Sequence, residues 1–265
     1  MPITSARFSF IANRGFTLVE IAIVILIVTL LLTGLIPTIS SQIEQRQTNE
    51  TRKQLDEIRD SLLGFAVTQG RLPCPASDTS NGKESFCTNA LGACGAEIFF
   101  PAALPIHGRC AKPYDGLVPA VTIGITQTDD EGYMLDGWSN RIHYAVTIAN
   151  NNAFTKANGM KALGMVALAP DLFVCASATG LPAFPSADCG AATILTSNGV
   201  TVIYSVGMKP VAGGIDEAAN LNDDQVFVNH VPSPATAPNG EFDDIVTWIS
   251  PNILFNRMVM AGQLP

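Results

Sequence analysis

The first strong pattern along the chain is an unbroken apolar run. Residues Phe16 to Ile36 form 21 positions with one charge, Glu20. At helical rise the run spans about 32 Å, enough to cross the hydrocarbon core of a bilayer. Beyond it, Ile39, Ile43, Leu55, Ile58, Leu62 and Phe65 recur at helical spacing, with Glu44, Arg46, Glu50, Arg52, Lys53, Asp56 and Arg59 between them. That stripe predicts a helix carrying on past the membrane and docking a domain on its second half. Gly34 and Pro37 predict an interruption between the two halves, because proline removes a backbone donor. Gly70 to Pro75 ends the helix, which gives a helical region over 16–70 with a membrane and assembly segment at 16–36.

After Pro73 the period changes from helical to two. Ile142 to Ile148, Val200 to Val206, Val226 to Val228 and Ile245 to Ile249 read as strands, and Asn252 to Met260 as a short terminal helix. Residues 76–118 read as a long, cysteine-tied connection without regular structure. The fold class is therefore α+β: a long N-terminal helix, half of it transmembrane, packed on an antiparallel β-sheet within a domain over 71–265.

Charge narrows the partners. The net charge of −8 and the absence of any basic run argue against nucleic acid as the main partner, since phosphate binding needs a basic patch. Arg7 and Arg14 precede the apolar run with no acid beside them, which keeps the N-terminus cytoplasmic and sends the C-terminal bulk across the membrane.

The six cysteines all follow the apolar run and share one compartment. An oxidising compartment suggests up to three disulfides, with several connectivities open. Short loops favour Cys87–Cys94 and Cys175–Cys189, leaving Cys74–Cys110. Without a C-x-x-C pair or a histidine at ligand spacing, the pattern argues against zinc.

Glu20 is the least expected residue. A carboxylate within a lipid-facing segment costs about 2.5–3.5 kcal/mol near the bilayer centre, less near an end, and a plain anchor has no reason to keep it. A secretory signal would be cut after the apolar run at small residues, and no such site follows Ile36. Gly15-Phe16-Thr17-Leu18-Val19-Glu20 and the run behind it resemble the prepilin processing motif of type IV pilins and type II secretion pseudopilins. The resemblance implies the pilin fold and a leader over 1–15 removed by prepilin peptidase between Gly15 and Phe16. It also implies N-methylation of Phe16 and pairing of Glu20 with the terminal amine of a neighbouring subunit. The partners it implies are other pilin or pseudopilin subunits and an inner-membrane assembly platform. The precursor would be a single-pass inner-membrane protein, and the assembled subunit would lie in the periplasm or on a surface pilus. Chain size favours a minor pilin, with a type II secretion pseudopilin as the alternative.

Two further stretches are similar to the major pseudopilin of type II secretion. Asp136 to Tyr144 is similar to its D-x-W-G-x-P-Y segment, with Ser139 in the glycine place and no proline. Ser205-Val206-Gly207, the pair Gly213-Gly214, and Asp244-Ile245 through Trp248 are similar to its C-terminal loop, which binds calcium in that family. Here the loop is longer, and Met208-Lys209 stand where aspartate-glycine is expected. Asp216, Glu217, Asp223, Asp224, Asp243 and Asp244 supply hard carboxylate oxygens that suit Ca²⁺, with Asp243 and Asp244, then Asp223 and Asp224, the candidate ligands; no other cofactor is indicated.

A membrane-anchored periplasmic hydrolase is the competing class. G-x-S-x-G, H-E-x-x-H and P-loop motifs are absent, and His107, His143 and His230 are far apart in sequence. The pairs Asp129-Asp130 and Asp223-Asp224 could serve glycoside chemistry, but turns explain them equally well.

Overall fold

The computed structural model describes residues 17–99 and 104–264, with backbone alone for 32–40. The expected processing pair, Gly15 and Phe16, lies outside the described residues. The chain divides into two compact units, Met1–Arg46 and Gln47–Pro265, and helix α1 (Leu18–Gln69) contributes to both.

In the first unit, α1 presents apolar side chains all round: Leu18, Val19, Ile21 and the residues up to Leu31 are exposed. Such a surface has no place in water unless another surface covers it. The one hydroxyl in this stretch, Thr29 Oγ1, bonds the Ile25 carbonyl at 2.8 Å, so it adds no unsatisfied donor. α1 is continuous through Gly34 and Pro37, where the sequence predicts an interruption. A single missing donor leaves the flanking i to i−4 bonds in place, which explains the continuity. Among the described residues no helix is long and apolar enough to cross a membrane. The stretch with described side chains, 18–31, rises only about 21 Å, short of the roughly 30 Å of a hydrocarbon core.

In the second unit, Thr51, Leu55, Ile58, Leu62, Leu63 and Ala66 of α1 are buried. This is the predicted stripe shifted slightly: Leu63 and Ala66 join it, Phe65 is half-buried, and Ile43 is exposed. The helix ends at Gly70, whose φ of +68° suits glycine and whose N–H donates to the Ala66 carbonyl. Arg71 then turns inward and forms a two-pronged ion pair with Glu84, at 2.8 and 2.7 Å, both side chains being almost fully buried. Glu84 also accepts from the Cys74 N–H, so the pair fixes the chain reversal after the helix.

The elements that follow are β1 (Ser85–Cys87), β2 (Glu97–Phe99), β3 (Gly116–Leu117), α2 (Ala120–Ile123), β4 (His143–Val146) and the single turn α3 (Ala149–Asn152). Next come α4 (Gly159–Leu163), β5 (Leu172–Cys175), β6 (Ile194–Gly199), β7 (Thr201–Ser205), α5 (Ile215–Asn220), β8 (Val226–Val228), β9 (Ile245–Ile249) and α6 (Pro251–Met260). β3, β4, β7 and β9 form an antiparallel sheet in that order, with Ala145 opposite Val202 and Val202 opposite Trp248. Alternation sorts its side chains. Tyr144, Val146, Ile203 and Ile249 join Leu55, Ile58 and Leu62 of α1 in the main core. Ala145, Val202, Tyr204 and Trp248 face Leu172, Val174 and Phe227 in a second core.

That second core corrects the single antiparallel sheet read from sequence. β8 does not join β4, β7 and β9; it pairs in parallel with β5 in a separate sheet ordered β6-β5-β8. The short apolar run Leu172–Cys175 is too brief for periodicity to separate strand from buried helix. The connection over 76–118 is also more regular than expected, since it holds the β1–β2 hairpin and β3. Disulfides join Cys74 to Cys110, Cys87 to Cys94 across that hairpin, and Cys175 at the end of β5 to Cys189.

Candidate functional site

Two places concentrate the chemistry, one in each unit. At the start of α1, Thr17 and Glu20 form a reciprocal cap. The Thr17 N–H and Oγ1 both donate to Glu20 Oε2, at 2.8 and 2.9 Å, and the Glu20 N–H donates to Thr17 Oγ1 at 3.3 Å. This T-x-x-E box satisfies donors that a helix start leaves unpaired. Glu20 Oε1 takes no hydrogen bond among the described residues. Cleavage at Gly15 would leave this box one residue from the new terminus.

The second place lies where the loop after β7 meets the segment before β9. Glu217, Asp243 and Asp244 each bring a carboxylate oxygen within 4.8 Å of the others. α5 supplies Glu217, whose Oε1 accepts from the Asp243 N–H at 2.8 Å. Asp243 Oδ2 accepts from the Met208 N–H at 3.1 Å, while its Oδ1 is buried with no hydrogen-bond partner among the described residues. Asn220 donates to Asp244 Oδ2 at 2.7 Å and is itself fixed by β8 through the Val228 N–H and carbonyl. Gly207, at φ +65°, makes the close approach possible; a Cβ there would stand 2.1 Å from Asp243 Oδ1.

Crowding of acids away from water raises their pKa. Burial pushes the Asp244 carboxyl up to about 8, the Asn220 hydrogen bond opposing this and the Glu217 and Asp243 charges adding to it. Burial likewise takes Asp243 to about 6, against the Met208 hydrogen bond and with the Glu217 and Glu241 charges. The Lys209 ammonium is paired with Glu241 and offsets the crowding at Asp243 only in part.

The sequence candidates thus divide. Asp243 and Asp244 are together, and Glu217 completes the group from a helix too short for its periodicity to announce it. Asp223 and Asp224 are not part of the group. Asp224 is occupied by hydrogen bonds from the Ser186 and Val226 N–H groups and the Asn222 amide. Asp129, one of the acids weighed for glycoside chemistry or a turn, is likewise occupied by Arg141 and by the N–H groups of Glu131 and Tyr133.

A line of contacts joins the acidic group to α1 within the second unit. Gly137 packs against Gln47, where a Cβ would meet the carbonyl at 2.5 Å, and its N–H donates to Thr51 Oγ1. Asp136 accepts from Ser205 Oγ and from the N–H groups of Trp138 and Asn140. Asn140 donates to the Gly207 carbonyl at 2.7 Å. Ser139 sits at φ +71°, a backbone state natural to the glycine it replaces in the resembling segment.

Residues 12–36 match the family described as the prokaryotic N-terminal methylation motif. No curated protein and no solved structure matches the chain. The motif implies processing by a prepilin peptidase, a membrane-anchored precursor and assembly with other pilin-like subunits.

One pH dependence follows from the acidic group. A carboxyl whose folded pKa lies above its ordinary value near 3.8 favours the folded state while protonated. That contribution is fully present below about 3.8 and is lost as the pH rises through about 8. With divalent ions chelated, Asp244→Asn should therefore raise the melting temperature at pH 8.5 by about 3–6 °C and leave it unchanged at pH 4. Equal pH profiles for the variant and the parent in thermal unfolding would contradict this.

The matched motif is the prepilin signal of type IV pilins and pseudopilins.

Proposed function

We propose that the chain is a minor pilin, a structural subunit of a type IV pilus-like filament. Prepilin peptidase cuts between Gly15 and Phe16, and Phe16 becomes the methylated N-terminus. The precursor waits in the inner membrane with its N-terminus cytoplasmic, and the assembly platform moves it into the filament. The observation that carries this reading is the methylation motif at 12–36, within which α1 presents exposed apolar side chains from Leu18 to Leu31.

Glu20 has a double task in this account. One oxygen caps its own helix through Thr17, and Oε1 remains to meet the terminal ammonium of a neighbouring subunit. In an apolar bundle each charge needs the other, so the pair sets the axial register of subunits. Glu20→Ala should leave cleavage and membrane insertion intact and lower incorporation into filaments at least about tenfold. Incorporation at the parent level, measured by immunoblot of sheared filaments, would contradict the pairing.

The acidic group favours a second reading, a type II secretion pseudopilin, since it lies in the loop similar to that family's calcium loop. The donor set fits a hard cation: three carboxylates converge, and a buried Asp243 oxygen lacks a partner. Glu217, Asp243 and Asp244 would hold Ca²⁺, which would relieve their mutual repulsion and tie the loop to β9. On this reading, calcium at a hundredfold excess over its Kd raises the melting temperature of the full chain by about 5–10 °C. Asp243→Asn loses the shift. No shift at millimolar calcium would remove the ion site and the reading it supports.

A further inference from the structure

A cavity of about 380 Å³ lies beside the turn α3 and the helix α4, and none of its lining residues belongs to the acidic group or to the N-terminal motif. Its polar lining residues are Asn150, Asn151, Lys156 and Asn158, and its wall includes Ala153, Ala162 and Leu163. No carboxylate lines it among the described residues. In a chain of net charge −8, a concave surface carrying a lysine and no acid selects for an anion.

The cavity is held by unusual backbone. Asn150, Asn151 and Asn152 all have positive φ, at 54°, 57° and 59°, and Asn158 has φ 55°. Seven non-glycine residues have positive φ among those described, and four of them are these asparagines. One asparagine tolerates the left-handed region readily, but consecutive residues there are disfavoured and need support from their surroundings. That support is visible. The Asn150 amide donates to the Ala167 carbonyl at 2.9 Å and accepts from the Ala169 N–H at 2.8 Å. Below, Thr155 Oγ1 donates to the Gly108 carbonyl at 2.7 Å, and a Cβ on Gly108 would meet the Lys156 Cα at 2.5 Å. Strain that the fold maintains with this many contacts clusters where a surface is shaped for a ligand.

We propose that this cavity binds the C-terminal residue of a peptide. Lys156 takes the terminal carboxylate, and the Asn151 and Asn158 carboxamides pair with the backbone amide of that residue. A small apolar side chain lies against Ala153, Ala162 and Leu163. Carboxylate, amide and short apolar group are the three chemistries the lining offers, and a peptide C-terminus carries all three within a few bonds. The site goes beyond the structural role proposed above and stands or falls independently of it.

The test uses the full chain in detergent micelles, titrated by calorimetry with N-acetyl-Ala-Ala as the free acid, its C-terminal amide, and glucuronate. The free acid should bind, the amide at least about tenfold more weakly, because a charge-assisted bond is lost. Lys156→Gln should weaken the free acid by a similar factor. Asn151→Gly, which keeps the backbone conformation accessible while deleting the carboxamide, should do so as well. Melting temperatures of both variants serve as the folding control. No binding of the free acid at 10 mM (on the order of the weakest useful site), equal binding of acid and amide, or equally tight binding of glucuronate would each overturn the proposal.

Discussion

The packing of one α1 stripe on one face of a four-stranded sheet is the contact from which the rest of the domain follows. Leu55, Ile58, Leu62 and Ala66 meet Tyr144, Val146, Ile203 and Ile249, and each large side chain among them contributes about 1.5–3 kcal/mol by leaving water. Because alternate residues of β7 point the other way, the same strand must also be covered on its far side. β5 and β8 provide that cover through Leu172, Val174 and Phe227. All five β7 residues are consequently buried, and the helix-sheet seam forces a second sheet into existence.

The seam also explains why polar groups are found at its margins. The chain leaves α1 through a glycine and a buried Arg71–Glu84 pair, whose removal on one side alone would strand a charge at a cost of about 3–5 kcal/mol. At the opposite margin the Asp136–Asn140 loop touches α1 at Gln47 and Thr51 and reaches Gly207, which contacts Asp243. The acidic group is therefore joined by direct contacts to the part of α1 that belongs to the second unit. Any ion that settles the three carboxylates would stiffen the loop against that helix.

Much of this was legible in the sequence because it rests on long or strongly periodic signals. The α1 stripe, the alternation in 142–148 and 200–206, and the terminal helix are such signals, and the Gly15-to-Glu20 motif is a local string that needs no tertiary context. The short spacings Cys87–Cys94 and Cys175–Cys189 coincide with loops that the bridges close. β5 was hidden because four apolar residues carry no period. Its parallel pairing with β8 joins segments separated by β6, β7 and α5, an arrangement set by the need to cover β7. Glu217 was hard to single out among many acids, since only the fold brings α5 against Asp243. Asp223 and Asp224 are conspicuous as a pair, but Asp223 is a left-handed loop residue and Asp224 is held by the Ser186 and Val226 N–H groups and the Asn222 amide. The left-handed asparagine run was readable as a loop and not as a cavity wall, because its supports at 108 and 167–169 are distant in sequence.

The central claim is that the apolar helix is an assembly segment exposed by cleavage and not a permanent anchor. Mass spectrometry of the N-terminal peptide, taken from membranes and from sheared surface material, tests it most directly. The account predicts a peptide beginning at methylated Phe16. An intact leader from Met1 to Gly15 in cells with an active prepilin peptidase would contradict it.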